Sequence, residues 1–238
     1  MKKMFIILIV SIFIIGVVWG ESEISVSADD FNFGYAPQNA KVTCAFWIYA
    51  GARDTLKISR VKTSCGCTKA PLDKNVLNPG DSTYLEIVFS TRQYRGESSR
   101  SIQISSNATP PTKELKIKAN VQTQMDLTEP IVINPYKVDI SKFGEKMRDK
   151  SKFSIENKSD NDIELTMVYY PEEYFDIDLP KVVKAGKTAE GKVQIKNEYQ
   201  SEEFNKSFTF ELNDDNHSRF TVPVTRVIRQ LGSTQASK

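Results

Sequence analysis

Every second residue from Val42 to Ile48 is apolar (Val42, Cys44, Phe46, Ile48). The same period returns in Leu85, Ile87 and Phe89, and again in Leu115, Ile117, Ala119 and Val121. A period of two places side chains on one face of a strand, whereas a helix needs a period of 3.6. Lys116, Lys118 and Asn120 fill the alternate positions of the last row. Each row is therefore predicted to be an antiparallel strand with one buried face and one wet face. Turn-forming runs separate the rows: Ala50 to Asp54 around Gly51, Asn78-Pro79-Gly80-Asp81, Tyr94-Arg95-Gly96, and Asn107 to Thr112 with its Pro110-Pro111 pair. No amphipathic helix of ten or more residues stands out. Short strands punctuated in this way over about 100 residues point to a β-sandwich.

The order of features then repeats from near Asp126. Phe33-Gly34 returns as Phe143-Gly144, Phe46-Trp47-Ile48 as Phe153-Ser154-Ile155, and the Leu56 to Ile58 strand as Ile163 to Met167. Pro79-Gly80-Asp81 corresponds to Ala185-Gly186-Lys187, and Ile102-Gln103-Ile104 to Phe208-Thr209-Phe210. Both cycles close on a Val-rich strand, Leu115 to Val121 and Phe220 to Val227. The domains are expected at residues 24–125 and 126–230, joined across Gln122 to Pro130, with a mobile tail over 231–238.

Met1 to Lys3 is a short basic start, and Met4 to Trp19 is apolar apart from Ser11 and Gly16. That pattern reads as an export signal over residues 1–20. Its apolar run would cover roughly 24 Å as a helix, short of the ~30 Å hydrocarbon core of a bilayer. Val18-Trp19-Gly20 suits cleavage after Gly20, with retention as an N-terminal anchor the alternative. Lys2 and Lys3 also account for the whole net charge of +2, so the chain beyond the leader is formally neutral. Neutrality argues against a broad nucleic-acid-binding face, which would need a local excess of Lys and Arg.

The strongest local motif is Ser64-Cys65-Gly66-Cys67-Thr68. Before it come Asp30-Phe31-Asn32-Phe33-Gly34, Phe46 and Leu56-Lys57-Ile58; after it come Asn78-Pro79-Gly80-Asp81, Tyr94-Arg95-Gly96 and Ser106-Asn107. In this order the run from Asp30 to Val121 resembles the bacterial domain of unknown function family 1573. The resemblance implies an exported protein with an immunoglobulin-like fold, related to modules of the ciliary and centrosomal adhesion type. It implies no chemistry, since the family has none assigned. This chain has Ala50 before Gly51 where that family usually has Asn. The second cycle has no cysteine, with Val168-Tyr169-Tyr170-Pro171 near the place of the motif and Phe204 near the place of Gly96. The fold expected is thus all-β: two tandem immunoglobulin-like β-sandwich domains after an N-terminal signal helix.

Three cysteines in an exported chain leave one unpaired if one bridge forms. Cys65 and Cys67 would lie roughly 6.5 Å apart in an extended strand, near the upper limit for a disulfide, so pairing needs the chain to fold over at Gly66. Such a pair can be a structural crossing, packed or bridged, or a strained and reducible redox pair. As thiolates the two sulfurs would suit a soft ion such as Cu(I). Zinc would need further ligands, and His217 is the sole histidine. Cys44, on an inward row and out of register with Cys65, reads as a buried apolar filler.

No nucleophile motif accompanies His217, which sits in the polar run Asn213 to Ser218, and no phosphate loop is present. No catalytic, cofactor or metal residue is therefore expected. Trp47 and Tyr49 alternate with buried Phe46 and Ile48, so they should face outward and can form an interface. The expected function is an exported non-enzymatic interaction module of a bacterial cell envelope. Its partner would be another envelope protein, without nucleic acid, and it would touch the membrane only through an uncleaved leader. The alternatives are an extracytoplasmic thiol-redox or copper handler using Cys65 and Cys67, and a periplasmic chaperone-like strand binder.

Overall fold

The apolar rows pair as strands in a computed structural model that describes residues 22–144 and 146–229. The signal segment expected over 1–20 and the tail over 231–238 lie outside the described residues. In chain order the first unit comprises β1 (Ile24–Val26), β2 (Asp30–Pro37), β3 (Lys41–Ala50), β4 (Leu56–Thr63), β5 (Thr68–Lys69), β6 (Val76–Leu77), β7 (Ser82–Ser90), β8 (Gly96–Ser106) and β9 (Thr112–Gln122). A 3-10 turn at Met125–Leu127 leads to the second unit. That unit comprises β10 (Ile131–Asn134), β11 (Val138–Asp139), β12 (Lys142–Phe143), β13 (Lys146–Met147), β14 (Lys150–Asn157), β15 (Ile163–Tyr169), β16 (Phe175–Asp178), β17 (Val182–Val183), β18 (Thr188–Ile195), β19 (Phe204–Leu212), β20 (Arg219–Arg226) and β21 (Ile228–Arg229). The protein is all-β and sandwich-like. Among the described residues no helix is long and apolar enough to cross a membrane.

Strand order is the same in both units. One layer runs β1-β3-β7-β5 in the first and β10-β14-β18-β16 in the second. The facing layer runs β2-β9-β8-β4-β6 in the first, and the second matches it as β11-β20-β19-β15-β17. β2 and β11 each lie parallel to the strand that closes their unit. Gly80 and Gly186, which precede β7 and β18, both have positive φ, as do Gly34 and Gly144. Each unit encloses its own core. Phe33, Phe46, Ile48, Leu85, Phe89 and Ile117 fill the first, and Ile133, Phe153, Phe175, Phe208, Phe210 and Phe220 fill the second.

The two units are not beads on a linker, because one sheet passes through both. β2 pairs with β9 on one side and meets β20 at Tyr35 and Phe220 on the other. That approach depends on Gly34, whose φ is +62° and where a Cβ would strike the backbone carbonyl of Arg219. Beside it, β19 packs on β3. The Thr43 amide donates to Ser207 Oγ at 2.7 Å, the Ser207 amide to Thr43 Oγ1 at 3.0 Å, and Ser207 Oγ to the Thr43 carbonyl at 3.0 Å. Thr221 Oγ1 donates to the Phe33 carbonyl and is also 2.8 Å from Thr209 Oγ1. Lys206 forms an ion pair with Glu86 across the same seam and lies over the Tyr174 ring at 4.2 Å.

The seam corrects the expectation that every strand is half wet. Thr43 belongs to the outward row of β3 yet is fully buried, as are Ser207, Thr209 and Thr221. Their hydroxyls bond to each other and to backbone, which removes the penalty for burying them. The alternation of polar and apolar residues is real, but its polar side here faces the other unit.

Breaking the buried ion pair from one side should be costly. Glu86→Ala leaves the Lys206 ammonium, with a side chain only 10% exposed, without its carboxylate. The expected loss in urea unfolding is about 3–5 kcal/mol. The paired change Glu86→Leu with Lys206→Met should cost much less, since no charge is stranded. Gly34→Ala should destabilise by more than ~2 kcal/mol, because it adds the seam clash to a left-handed backbone. Gly80→Ala has comparable backbone strain but open space around it, and should lose only ~1–2 kcal/mol.

Candidate functional site

Ser64 to Thr68 carries the chain from one layer to the other, between the end of β4 and the start of β5. Both ends are pinned. The Ser64 amide donates to the Ser101 carbonyl of β8 at 3.0 Å, and the Ser101 amide donates back to Ser64 Oγ at 3.2 Å. At the other end Thr68 is buried and sits opposite Phe89 of β7. Between them Thr63 Oγ1 donates to the Cys65 carbonyl at 3.0 Å, and the Ser90 amide donates to the Cys67 carbonyl at 2.8 Å. The chain turns sharply enough to bring the Cys65 and Cys67 Cα atoms to 5.3 Å, and the two sulfurs form a disulfide. In this form neither sulfur is a thiolate, so the pair offers no soft-metal ligand. Among the described residues no cluster of three or more His, Cys, Asp or Glu could hold a metal.

Gly66 does less than its place in the motif suggests. The chain folds over at Gly66 as pairing requires, but φ there is not in the left-handed region, and a Cβ would meet nothing within 4 Å beyond the two flanking cysteines. Beyond Cys65 and Cys67 themselves, no residue crowds Gly66. Cys65 and Cys67 are half-buried at the wall of a cleft of about 410 Å³, lined also by Ser90, Arg92, Gln93 and Tyr94.

Arg100 is the neighbour that sequence reasoning missed. Its Nε donates to Cys67 Sγ at 3.4 Å, and its guanidinium stacks on the Tyr94 ring at 4.2 Å and near Phe89 at 5.8 Å. The two aromatic rings hold the cation against the sulfur. Arg100 lies 33 residues from Cys67 in sequence, and only the pairing of β8 with β4 brings it there. No local motif marks it.

Cys44 is a free thiol with no solvent exposure, opposite Ile87 in the β3–β7 ladder. Burial, with a smaller contribution from Glu86, pushes its thiol well above the ordinary value. Trp47 and Tyr49 emerge from the outward row of β3 beyond the seam, 46% and 41% exposed. Trp47 packs edge-to-face on Tyr84 across the strands, with ring centroids 5.4 Å apart. Tyr84 in turn reaches the second unit, its hydroxyl 3.2 Å from that of Tyr169. Burial raises Tyr84 to about 12, opposed in part by the Tyr169 hydrogen bond. Burial raises Tyr169 further, helped by Tyr84. His217 is exposed on a turn with Nδ1 3.3 Å from Glu211.

Residues 24–121 match the model of a family described as protein of unknown function (DUF1573). No curated protein matches the chain. Among solved structures, a protein of unknown function from Porphyromonas gingivalis W83 is 11% identical, with 85% of this chain and 98% of that chain aligned at a TM-score of 0.34. The PapD-like domain 7 of human CEP192 is 8% identical and covers 51% of this chain and 99% of that one, at a TM-score of 0.38. The E. coli chaperone DraB is 8% identical and covers 84% and 97%, at a TM-score of 0.30.

The tyrosine pair sets a pH limit. For Tyr84 the folded value lies above the unfolded value of 10.0, so the neutral form is the one the fold stabilises. That contribution is fully present below pH ~10 and is lost as pH rises from there toward 12. Tyr169 and Cys44 shift in the same direction. Urea unfolding from pH 8 to 12 should therefore show a stability decline steepening above about pH 10, shallower in Tyr84→Phe. An unchanged slope in Tyr84→Phe would contradict this assignment.

Proposed function

We propose, starting from a first unit that matches DUF1573, that this chain is an exported, non-enzymatic protein-binding module of a bacterial cell envelope. It takes up an extended acidic segment of another envelope protein along the open edge of β4. The apolar leader and the disulfide favour an extracytoplasmic setting.

The observation that carries the binding reading is the edge itself. β6 covers only Leu56 and Lys57 on the outer side of β4, and the Ile58 amide is taken by the Asn75 carbonyl. From Arg60 to Thr63 β4 pairs with β8 on its inner side, and among the described residues no strand pairs with its outer side. An open strand edge offers main-chain donors and acceptors to an incoming strand. Arg60 and Lys62 are exposed along it, and among the described residues neither has a carboxylate at ion-pair distance. Their charge discourages pairing of two copies of this edge and favours an acidic strand. The Trp47 and Tyr49 face is a weaker candidate, because Trp47 already packs on Tyr84.

A photo-crosslinking residue at Lys62, in cells making the full chain, should give adducts mapping to an extended acidic stretch of an envelope protein. Arg60→Glu with Lys62→Glu should reduce those adducts about tenfold or more without lowering the unfolding midpoint, since both side chains are exposed. Adducts undiminished by charge reversal, or fractionation of the protein with the cytoplasm, would overturn the reading.

A further inference from the structure

We propose that the Cys65–Cys67 bridge is a thiol–disulfide exchange site that accepts two electrons from a dithiol, with Cys65 attacked and Cys67 released against Arg100. The proposal is independent of the β4 edge, because it rests on the surroundings of the sulfurs alone.

Three features of the bridge point this way. First, it is reachable: both cysteines are half-buried and line the wall of a cleft together with Gly66. Structural disulfides resist exchange partly because an attacking thiolate cannot approach them. Second, the two sulfurs differ. Among the described residues, a guanidinium bonds to Cys67 Sγ, that of Arg100 at 3.4 Å, and none bonds to Cys65 Sγ. A thiolate beside a cation is stabilised, and the better-stabilised sulfur is the better leaving group. Third, the surroundings are already in place. The Thr68 hydroxyl lies 3.6 Å from Cys65 Sγ and 3.7 Å from Cys67 Sγ, within reach of either sulfur once it carries charge. Tyr94 and Phe89 hold the guanidinium, and the bonds of Ser64 to β8 and of the Cys67 carbonyl to Ser90 hold the turn.

A thiolate of the dithiol attacks Cys65 Sγ, forming a mixed disulfide while the Cys65–Cys67 bond breaks. Cys67 leaves with the electron pair as a thiolate facing Arg100. The second thiol of the partner loses its proton and attacks the partner's sulfur in the mixed disulfide. Cys65 leaves as a thiolate, and the partner closes its own disulfide. Two protons then complete the dithiol form of Cys65 and Cys67. The dithiol is oxidised by two electrons and this chain is reduced by two.

The test uses the folded chain with dithiothreitol as the dithiol probe and glutathione as the monothiol probe. Reduction by excess dithiothreitol at pH 7, followed by alkylation and mass spectrometry, should open this bridge without unfolding the protein. Brief exposure to glutathione should place the mixed disulfide on Cys65, mapped by peptide mass spectrometry. In the reduced protein the pH midpoint for alkylation of Cys67 should lie about one unit or more below that of an ordinary thiol. Arg100→Met should raise that midpoint and slow reduction about tenfold, and Arg100→Lys should recover part of both. A bridge that resists dithiothreitol while the protein stays folded, or a glutathione adduct on Cys67, would overturn the proposal. So would an Arg100→Met protein of native circular dichroism with wild-type rate and midpoint. Should Arg100→Met fail to fold, the glutathione mapping on the wild-type chain decides.

Discussion

The reciprocal hydrogen bonds between Thr43 and Ser207 are the contact on which the arrangement of this molecule depends. Each residue offers both its amide and its hydroxyl, and the two strands approach closely enough to use them with no solvent exposure at either residue. Such an approach is possible because the side chains that meet here, Thr43 and Ser207, are short and bring donors and acceptors without bulk. Around this point the remaining contacts fall into place. Thr221 bonds to the Phe33 carbonyl, Glu86 meets Lys206, and the Tyr84 and Tyr169 hydroxyls meet at the side. Gly34 lets β2 reach β20, and two layers become one continuous sheet.

Period-two hydrophobicity made the strands legible, because the inward rows Val42 to Ile48 and Leu115 to Val121 obey it with few exceptions. The repeat was legible for the same reason, helped by glycines whose positive φ recurs before matching strands. What could not be read was the destination of the polar rows. Ser207, Thr209 and Thr221 alternate just as solvated residues do, and a Thr hydroxyl bonded to a carbonyl is indistinguishable in sequence from one bonded to water. Local pattern reports which residues share a face, but what covers the face is set by contacts more than 150 residues away, as from Thr43 to Ser207.

The motif at Ser64 to Thr68 was similarly half legible. Cysteines separated by one residue announce a tight turn if they bridge, and the turn is there. Arg100 was invisible, since a lone Arg on a strand reads as a solvated charge until the register of β8 against β4 is known. Gly66 sits at the fold-over without a left-handed φ, so the turn there does not draw on the conformation that most favours glycine. The same stretch of chain forms the open edge of β4 and, directly after Thr63, the turn that holds the bridge. Thr63 touches both, contributing the last position of the edge and a hydroxyl bond to the Cys65 carbonyl.

The continuous sheet also bears on how separable the halves are. The family match ends at residue 121, but the surface of that segment is finished by side chains from Phe204 to Arg226. Excised there, the fragment would present to water a Glu86 carboxylate without its ammonium, a Thr43 amide without its acceptor, and the flank of β2 that meets Phe220. It would carry a fresh adhesive margin that the intact chain conceals. Modular shuffling of this segment would thus transplant an incomplete object, one whose missing wall has to be supplied by whatever it is fused to.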